Sequence, residues 1–251
     1  MAVSHNGAST SHNGEKKATL ASPFSLDPAL IQQVFDHAKP LGHCETVADL
    51  NLGFGFVYYG LVRALRPEHV LVIGSGYGFS VVCLALGLKD NRAGRLSFVD
   101  PSYSLLGNGP ANTIGGVNFW RDPIQVRNHF SRFGVENIVT HFKQTSEEFF
   151  NGYAEAGLPT IDLAFIDGNH SYAHVQHDVT ASLKHSRKNA YFLLHDTNIY
   201  IRELLRHAGV KRWLRSKAQR HKAAFEYVDF PFASGVAVLR ILEPKVWKQL
   251  S

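Results

Sequence analysis

Residues 69–80 read HVLVIGSGYGFS: an apolar run, then Gly74, Gly76 and Gly78, then the start of a second apolar stretch. Residues 70–73 suit a strand buried on both faces, and 79–88 suit a helix. Glycines between a strand and a helix let the backbone turn sharply and approach a ligand closely. The first amides of the following helix can hold an anionic or carboxylate group. The next strand-like run, 95–99, leads into Asp100, whose carboxylate can accept both hydroxyls of a ribose.

Outward from this unit, apolar runs alternate with helical patterns. Strands are expected at 138–142, 161–166 and 191–194, and helices at 123–133, from Ser146, at 173–184 and at 201–218. Such alternation implies a parallel sheet covered on both faces. The last two apolar runs, 225–228 and 235–241, are joined only by FPFASG, which suits a hairpin. The expected fold is α/β: a doubly wound, mostly parallel seven-stranded sheet ending in an antiparallel hairpin. Residues 1–22, with the near-repeat SHNGAST/SHNGEKK, read as a flexible tail, and 23–251 as one domain.

Composition narrows the class. The 251 residues are 45% hydrophobic, so the chain can bury a core and is not disordered throughout. No apolar run is long enough to span a bilayer, and the start has no secretory pattern. Two cysteines, Cys44 and Cys83, cannot build a disulfide framework or a four-thiolate zinc site. A soluble cytoplasmic protein is expected. The net charge of +5 permits an anionic partner without demanding nucleic acid.

A dinucleotide site favours G-x-G-x-x-G, whereas this loop is G-x-G-x-G, which together with the terminal hairpin favours S-adenosylmethionine (SAM) over NAD. Over about residues 51–241 the chain resembles the class I SAM-dependent methyltransferases, especially the small-molecule O-methyltransferases. VLVIGSGYGFS resembles their first motif, implying cofactor contacts from Gly74, Ser75, Gly76, Gly78 and Ser80. LSFVD resembles the second, implying Asp100 as the ribose acid. KQTSEEF stands where the family contacts adenine, which implies Ser146 and more weakly Thr145. LNLGF resembles the segment that closes over the methionine end, implying Asn51 and Gly53. Many members carry an acid two residues before the first glycine; here it is Val72, so the ammonium group needs a backbone carbonyl or Asp167.

FIDGNHSY (165–172) and LLHDTN (193–198) carry the chemistry. Each follows an apolar strand, at the edge where open α/β sheets bind ligands. If the two strands are neighbours, about 4.8 Å apart, Asp167 and Asp196 can share a cation. Like charges that close need a shared proton, a neighbouring cation or a metal, and oxygen-rich ligation suits Mg²⁺, Mn²⁺ or Ca²⁺. The metal-dependent O-methyltransferases that the chain resembles carry acidic ligands at these positions. The candidate ligands are Asp167, Asp196 and His195, with His195 or His170 as third ligand or general base. A metal-free alternative lets His195 take the acceptor proton. The phrases DGNHSY and HDT resemble a methyltransferase group associated with natural-product and sugar tailoring.

Other features bear on partners. His170, His174 and His177 recur at helical spacing, and a solvent-facing row is expected. The basic stretch 202–222 reads as a solvated helix face around Trp213 and Leu214, with RNA binding by a methyltransferase-like module as the alternative function. The insert 102–122, with Tyr103, Phe119 and Trp120, reads equally as a lid over the acceptor or a variable loop. The expected partner is a small-molecule acceptor, with self-association left open.

Overall fold

The computed structural model describes residues 24–102, 118–198 and 209–250. The expected tail, residues 103–117 of the insert with Tyr103, and the first part of the basic helix lie outside the described residues. In chain order the elements are α1 (Pro28–His37), α2 (Phe54–Leu65), β1 (His69–Ile73), α3 (Phe79–Asn91), β2 (Arg95–Val99), α4 (Pro123–Ser131), β3 (Val139–Phe142) and α5 (Ser146–Asn151). Then follow β4 (Ile161–Ile166), α6 (Tyr172–Lys184), β5 (Ser186–His195), α7 (Gly209–Trp213), β6 (Phe225–Phe230) and β7 (Val236–Ile241).

The strands form one seven-stranded sheet in the order β3-β2-β1-β4-β5-β7-β6. All neighbours are parallel except β5–β7 and β6–β7, the reversed pair that FPFASG suggested. β1 shows why the strands read as continuous apolar runs: side chains alternate between two covered faces. Val70 and Val72 join the core under α1, α2, α3 and α4, while Leu71 and Ile73 join the core under α5, α6 and α7. Helix starts follow local chemistry. Asp27 and Asp122 cap α1 and α4 ahead of prolines, and Thr145 and Glu148 form a capping box on α5.

β5 starts five residues earlier than the apolar pattern indicated. Ser186, Arg187, Lys188 and Asn189 look like a loop, but Arg187 Nε lies 2.6 Å from the buried Asp162 Oδ1. Asp162 Oδ2 also accepts from the backbone nitrogens of Glu68 and His69, at 2.6 and 3.1 Å. This one carboxylate ties the amino ends of β1, β4 and β5 together, at the edge opposite the glycine loop.

Trp120 does not serve as an exposed lid aromatic. It is 1% exposed, stacked on Phe130 and set edge-on to Phe98 in the first core. Of the basic stretch, the described part packs Trp213 and Leu214 inward, as a solvated helix face would. Arg212 lies over the Tyr172 ring at 4.7 Å, and Lys217 Nζ donates to the Leu250 carbonyl.

One buried group works against the fold. Asp178, on the inner face of α6, accepts from the Ser146 hydroxyl and leaves its other oxygen unpartnered, so burial pushes it up to about 7 from an ordinary 3.8. The folded state therefore binds this proton more tightly than the unfolded chain does, and stability is lost as pH rises between those values. Asp178→Asn is expected to remove that component of the slope and to gain roughly 1–3 kcal/mol at alkaline pH in urea unfolding. An identical pH slope in the variant would show that the Asp178 charge is compensated within the fold.

Candidate active site at the carboxyl edge of the sheet

The cofactor end is built by the turn after β1. Gly74 has φ +72°, and a side chain there would lie 2.5 Å from the Asp167 carbonyl, so only glycine lets β1 end against the end of β4. Gly78 N donates to Ser75 O and closes the turn at 2.8 Å. Ser75 and Ser80 are both buried and hydrogen-bonded to each other at 2.8 Å, bracing the loop from within. Trp120 Nε1 donates to the Gly76 carbonyl at 3.1 Å, and its backbone nitrogen donates to Ser102 Oγ at 2.9 Å. Ser102 N in turn donates to Asp100 Oδ1 at 2.7 Å. The end of the insert thus clamps both the glycine loop and the candidate ribose acid. Burial pushes Asp100 up to about 6, against the pull of the Ser102 and Ser75 backbone donors.

Ser146 opens α5, its hydroxyl held by Asp178. Asn51 is exposed, and its Oδ1 accepts from Gly53 N at 2.8 Å. Phe54 N donates to the His43 carbonyl at 2.8 Å. The LNLGF segment therefore anchors residue 43, a consequence not visible in the motif itself.

The chemical end is built by β4 and β5, which are neighbours as expected. Asp167 N donates to Ile73 O at 2.8 Å, which fixes the first acid beside the glycine loop. Asp196 follows β5 with φ +64°. His195 Nδ1 lies 2.9 Å from Asp167 Oδ1 and 3.4 Å from Asp196 Oδ1. His170 Nε2 lies 3.0 Å from Asp196 Oδ2 and 3.9 Å from Asp167 Oδ1. His170 therefore leaves the solvent-facing histidine row, whereas His174 and His177 stay exposed.

His43 was not found from the sequence. It is 4% exposed, stacked on His195 with ring centroids 4.3 Å apart, and its Nδ1 hydrogen-bonds the buried Tyr58 hydroxyl at 2.9 Å. Nothing in LGHCET marks it, because only the folded chain brings it to the end of β5. Nearby, Gly42 O accepts from Ser234 N, and Asn198 N donates to Ser234 O. The hairpin turn thus holds both the 42–44 segment and the loop after Asp196.

The charges settle in a definite pattern. Burial opposes a charge on His195, but the Asp167 carboxylate overcomes it and lifts the imidazole to about 9. Burial alone would raise Asp167; the His195 charge and hydrogen bond hold it below the ordinary carboxylate range. Burial and then the His195 charge keep His43 well below the ordinary histidine value. At neutral pH His195 and Asp167 therefore form an imidazolium–carboxylate pair, with the neutral imidazole of His43 stacked beside it. Asp167, His170 and Asp196 can place one ligand atom each within 4.8 Å of one another, as can His43, Asp167 and His195.

A sheet of this order with its last strand reversed, and a glycine loop answered by an acid after the second strand, is the architecture of the class I methyltransferases that use SAM. The chain belongs to the methyltransferase domain family, whose profile matches residues 71–197, from within β1 to just past Asp196. It is similar in fold to the O-methyltransferase TomG from Streptomyces achromogenes, involved in tomaymycin synthesis and solved with SAM. There the identity is 17% over 87% of this chain and 91% of that one, with a TM-score of 0.60. An O-methyltransferase from Bacillus cereus solved with S-adenosylhomocysteine (SAH) gives 16%, 86%, 91% and 0.60. The SAH-bound methyltransferase PaMTH1 of Podospora anserina gives 16%, 87%, 89% and 0.57. No curated protein matches the sequence. None of the described helices is long and apolar enough to cross a membrane.

Asp100 supplies a test of the cofactor end. A ribose hydroxyl donates better to a carboxylate than to a carboxyl, so SAH affinity is expected to hold above about pH 7 and fall as pH drops through about 6. Asp100→Asn is expected to weaken SAH binding about 10–100-fold at neutral pH and to flatten the profile in titration calorimetry. Wild-type affinity in the variant would exclude Asp100 from the site.

Proposed function

We propose that this protein moves a methyl group from SAM to a hydroxyl oxygen of a small acceptor, assisted by a divalent cation held by Asp167 and Asp196. The observation that carries the reading is the meeting of these two acids and His170 one strand end away from the glycine loop. SAM supplies an electrophilic methyl carbon on a sulfonium, and the acceptor oxygen forms its new bond as the carbon–sulfur bond breaks. Gly74, Gly76 and Gly78, the first amides of α3 and Asp100 would seat the nucleoside. Ser146 would border the adenine, and Asn51 and Gly53 the methionine end.

Asp167 faces both ways. Its backbone is bonded to Ile73 beside the glycine loop, and its side chain meets His195. The donor set fits a divalent ion, because Asp167, His170 and Asp196 can each place a ligand atom within 4.8 Å of the others. Such an ion would lower the pKa of a bound hydroxyl, so that its proton is released to solvent and the oxygen becomes the better nucleophile. His195, held near 9, keeps its proton at neutral pH. It therefore orients Asp167 rather than taking the acceptor proton, which weighs against the metal-free base.

A hydroxyl-acceptor panel of phenols, sugars and amino-acid derivatives, followed by transfer of a labelled methyl group, tests the reading. Asp196→Asn is expected to lower kcat at least about 100-fold while SAH affinity stays within about threefold. A chelated wild type turning over at the full rate would sink cation assistance and leave methyl transfer standing.

A further inference from the structure

We propose that His170 is the third ligand of the cation site, and that its nitrogen selects borderline transition ions such as Mn²⁺, Co²⁺ or Zn²⁺ over Mg²⁺. The inference rests on the cation-assisted reading above and goes beyond it by assigning the donor set and the class of ion.

The first argument is distance. Ligand atoms around one octahedral ion at about 2.1 Å lie about 3 Å apart when cis and about 4.2 Å apart when trans. His170 Nε2 stands 3.0 Å from one carboxylate oxygen of Asp196 and 3.9 Å from one of Asp167. One imidazole nitrogen therefore already stands at ligand-to-ligand spacing from both acids.

The second argument is placement. The DGNHSY turn is held from two sides. Gly209 N, at the start of α7, donates to the His170 carbonyl at 2.5 Å. A side chain at Gly209 would lie 2.5 Å from Tyr172 Cα, so the helix start rests directly on the backbone that follows His170. Within the turn, Ser171 N donates to Asn169 Oδ1 at 2.9 Å. A ligand on a fixed backbone loses less freedom when it binds, which is the condition for a site rather than a surface contact.

The third argument is division of labour between the histidines. His195 Nδ1 donates to Asp167, and His195 is stacked against His43, which hydrogen-bonds Tyr58. That is the place of an orienting partner behind a ligating carboxylate. His170 is 18% exposed on its side chain, more open than the 4% of His195. Two carboxylates and one imidazole make a mixed oxygen and nitrogen donor set. Mg²⁺ favours oxygen and keeps its water, whereas imidazole nitrogen raises affinity for Mn²⁺ and, more strongly, for the later first-row ions.

The test is ion binding to chelator-stripped full-length protein, without turnover. Titration calorimetry with MgCl₂, MnCl₂ and CoCl₂ is expected to place wild-type Co²⁺ and Mn²⁺ affinity at least about tenfold above Mg²⁺. Co²⁺ should also give a visible absorption band whose position reports a nitrogen ligand. His170→Asn, which offers oxygen in place of nitrogen, is expected to lower Co²⁺ affinity about 10–100-fold and to change Mg²⁺ affinity less than about threefold. Equal wild-type affinity for Mg²⁺ and Co²⁺ would overturn the inference and leave the cation reading intact. So would a Co²⁺ spectrum unchanged by His170→Asn but altered by His195→Gln. Absence of binding by any of the ions would overturn both.

Discussion

Two parallel strands, β4 and β5, end side by side, and each delivers a carboxylate just past its last ladder bond. In a half-buried site neither Asp167 nor Asp196 can be left facing the other without positive charge between them. Much of the surrounding structure answers that constraint. His195 gives Asp167 a charged hydrogen bond, and His170 sits on Asp196. His43 stays neutral because a second buried cation beside His195 would be costly. The turn carrying His170 is fixed by Gly209, and the segment carrying His43 is tied to Tyr58, Phe54 and Ser234.

The cofactor end and the chemical end are joined through Asp167. Its amide bonds Ile73, its carbonyl packs on Gly74, and its carboxylate meets the histidines. Trp120 extends the coupling outward. It bonds the Gly76 carbonyl and, through Ser102, reaches Asp100, so the end of the insert is hydrogen-bonded to both the glycine loop and the acid after β2.

Much of this architecture was legible before folding. β1, β2 and β4 read correctly because strands covered on both faces are apolar along most of their length. The glycine loop, Asp100, Asp167 and Asp196 could be placed at one edge from the sequence because strand ends of an open sheet converge there. The first half of β5 did not, since Arg187 is held by Asp162 and Asn189 by Arg240 rather than by hydrophobicity. The insert carrying Trp120 read equally as a lid or a variable loop because nothing local shows that Trp120 enters the core beside Phe98 and Phe130.

Local pattern by itself determined the alternation of strands and helices, the hairpin at the end and the edge at which ligands gather, because each depends on periodicity or on a few adjacent residues. Tertiary structure alone decided which histidine meets which acid. His43 lies more than a hundred residues before His195, and His170 leaves the row of His174 and His177 because it stands in the turn before α6, whose cap is Ser171. Such pairings are set by packing between elements distant in the chain, and no spacing within one segment encodes them.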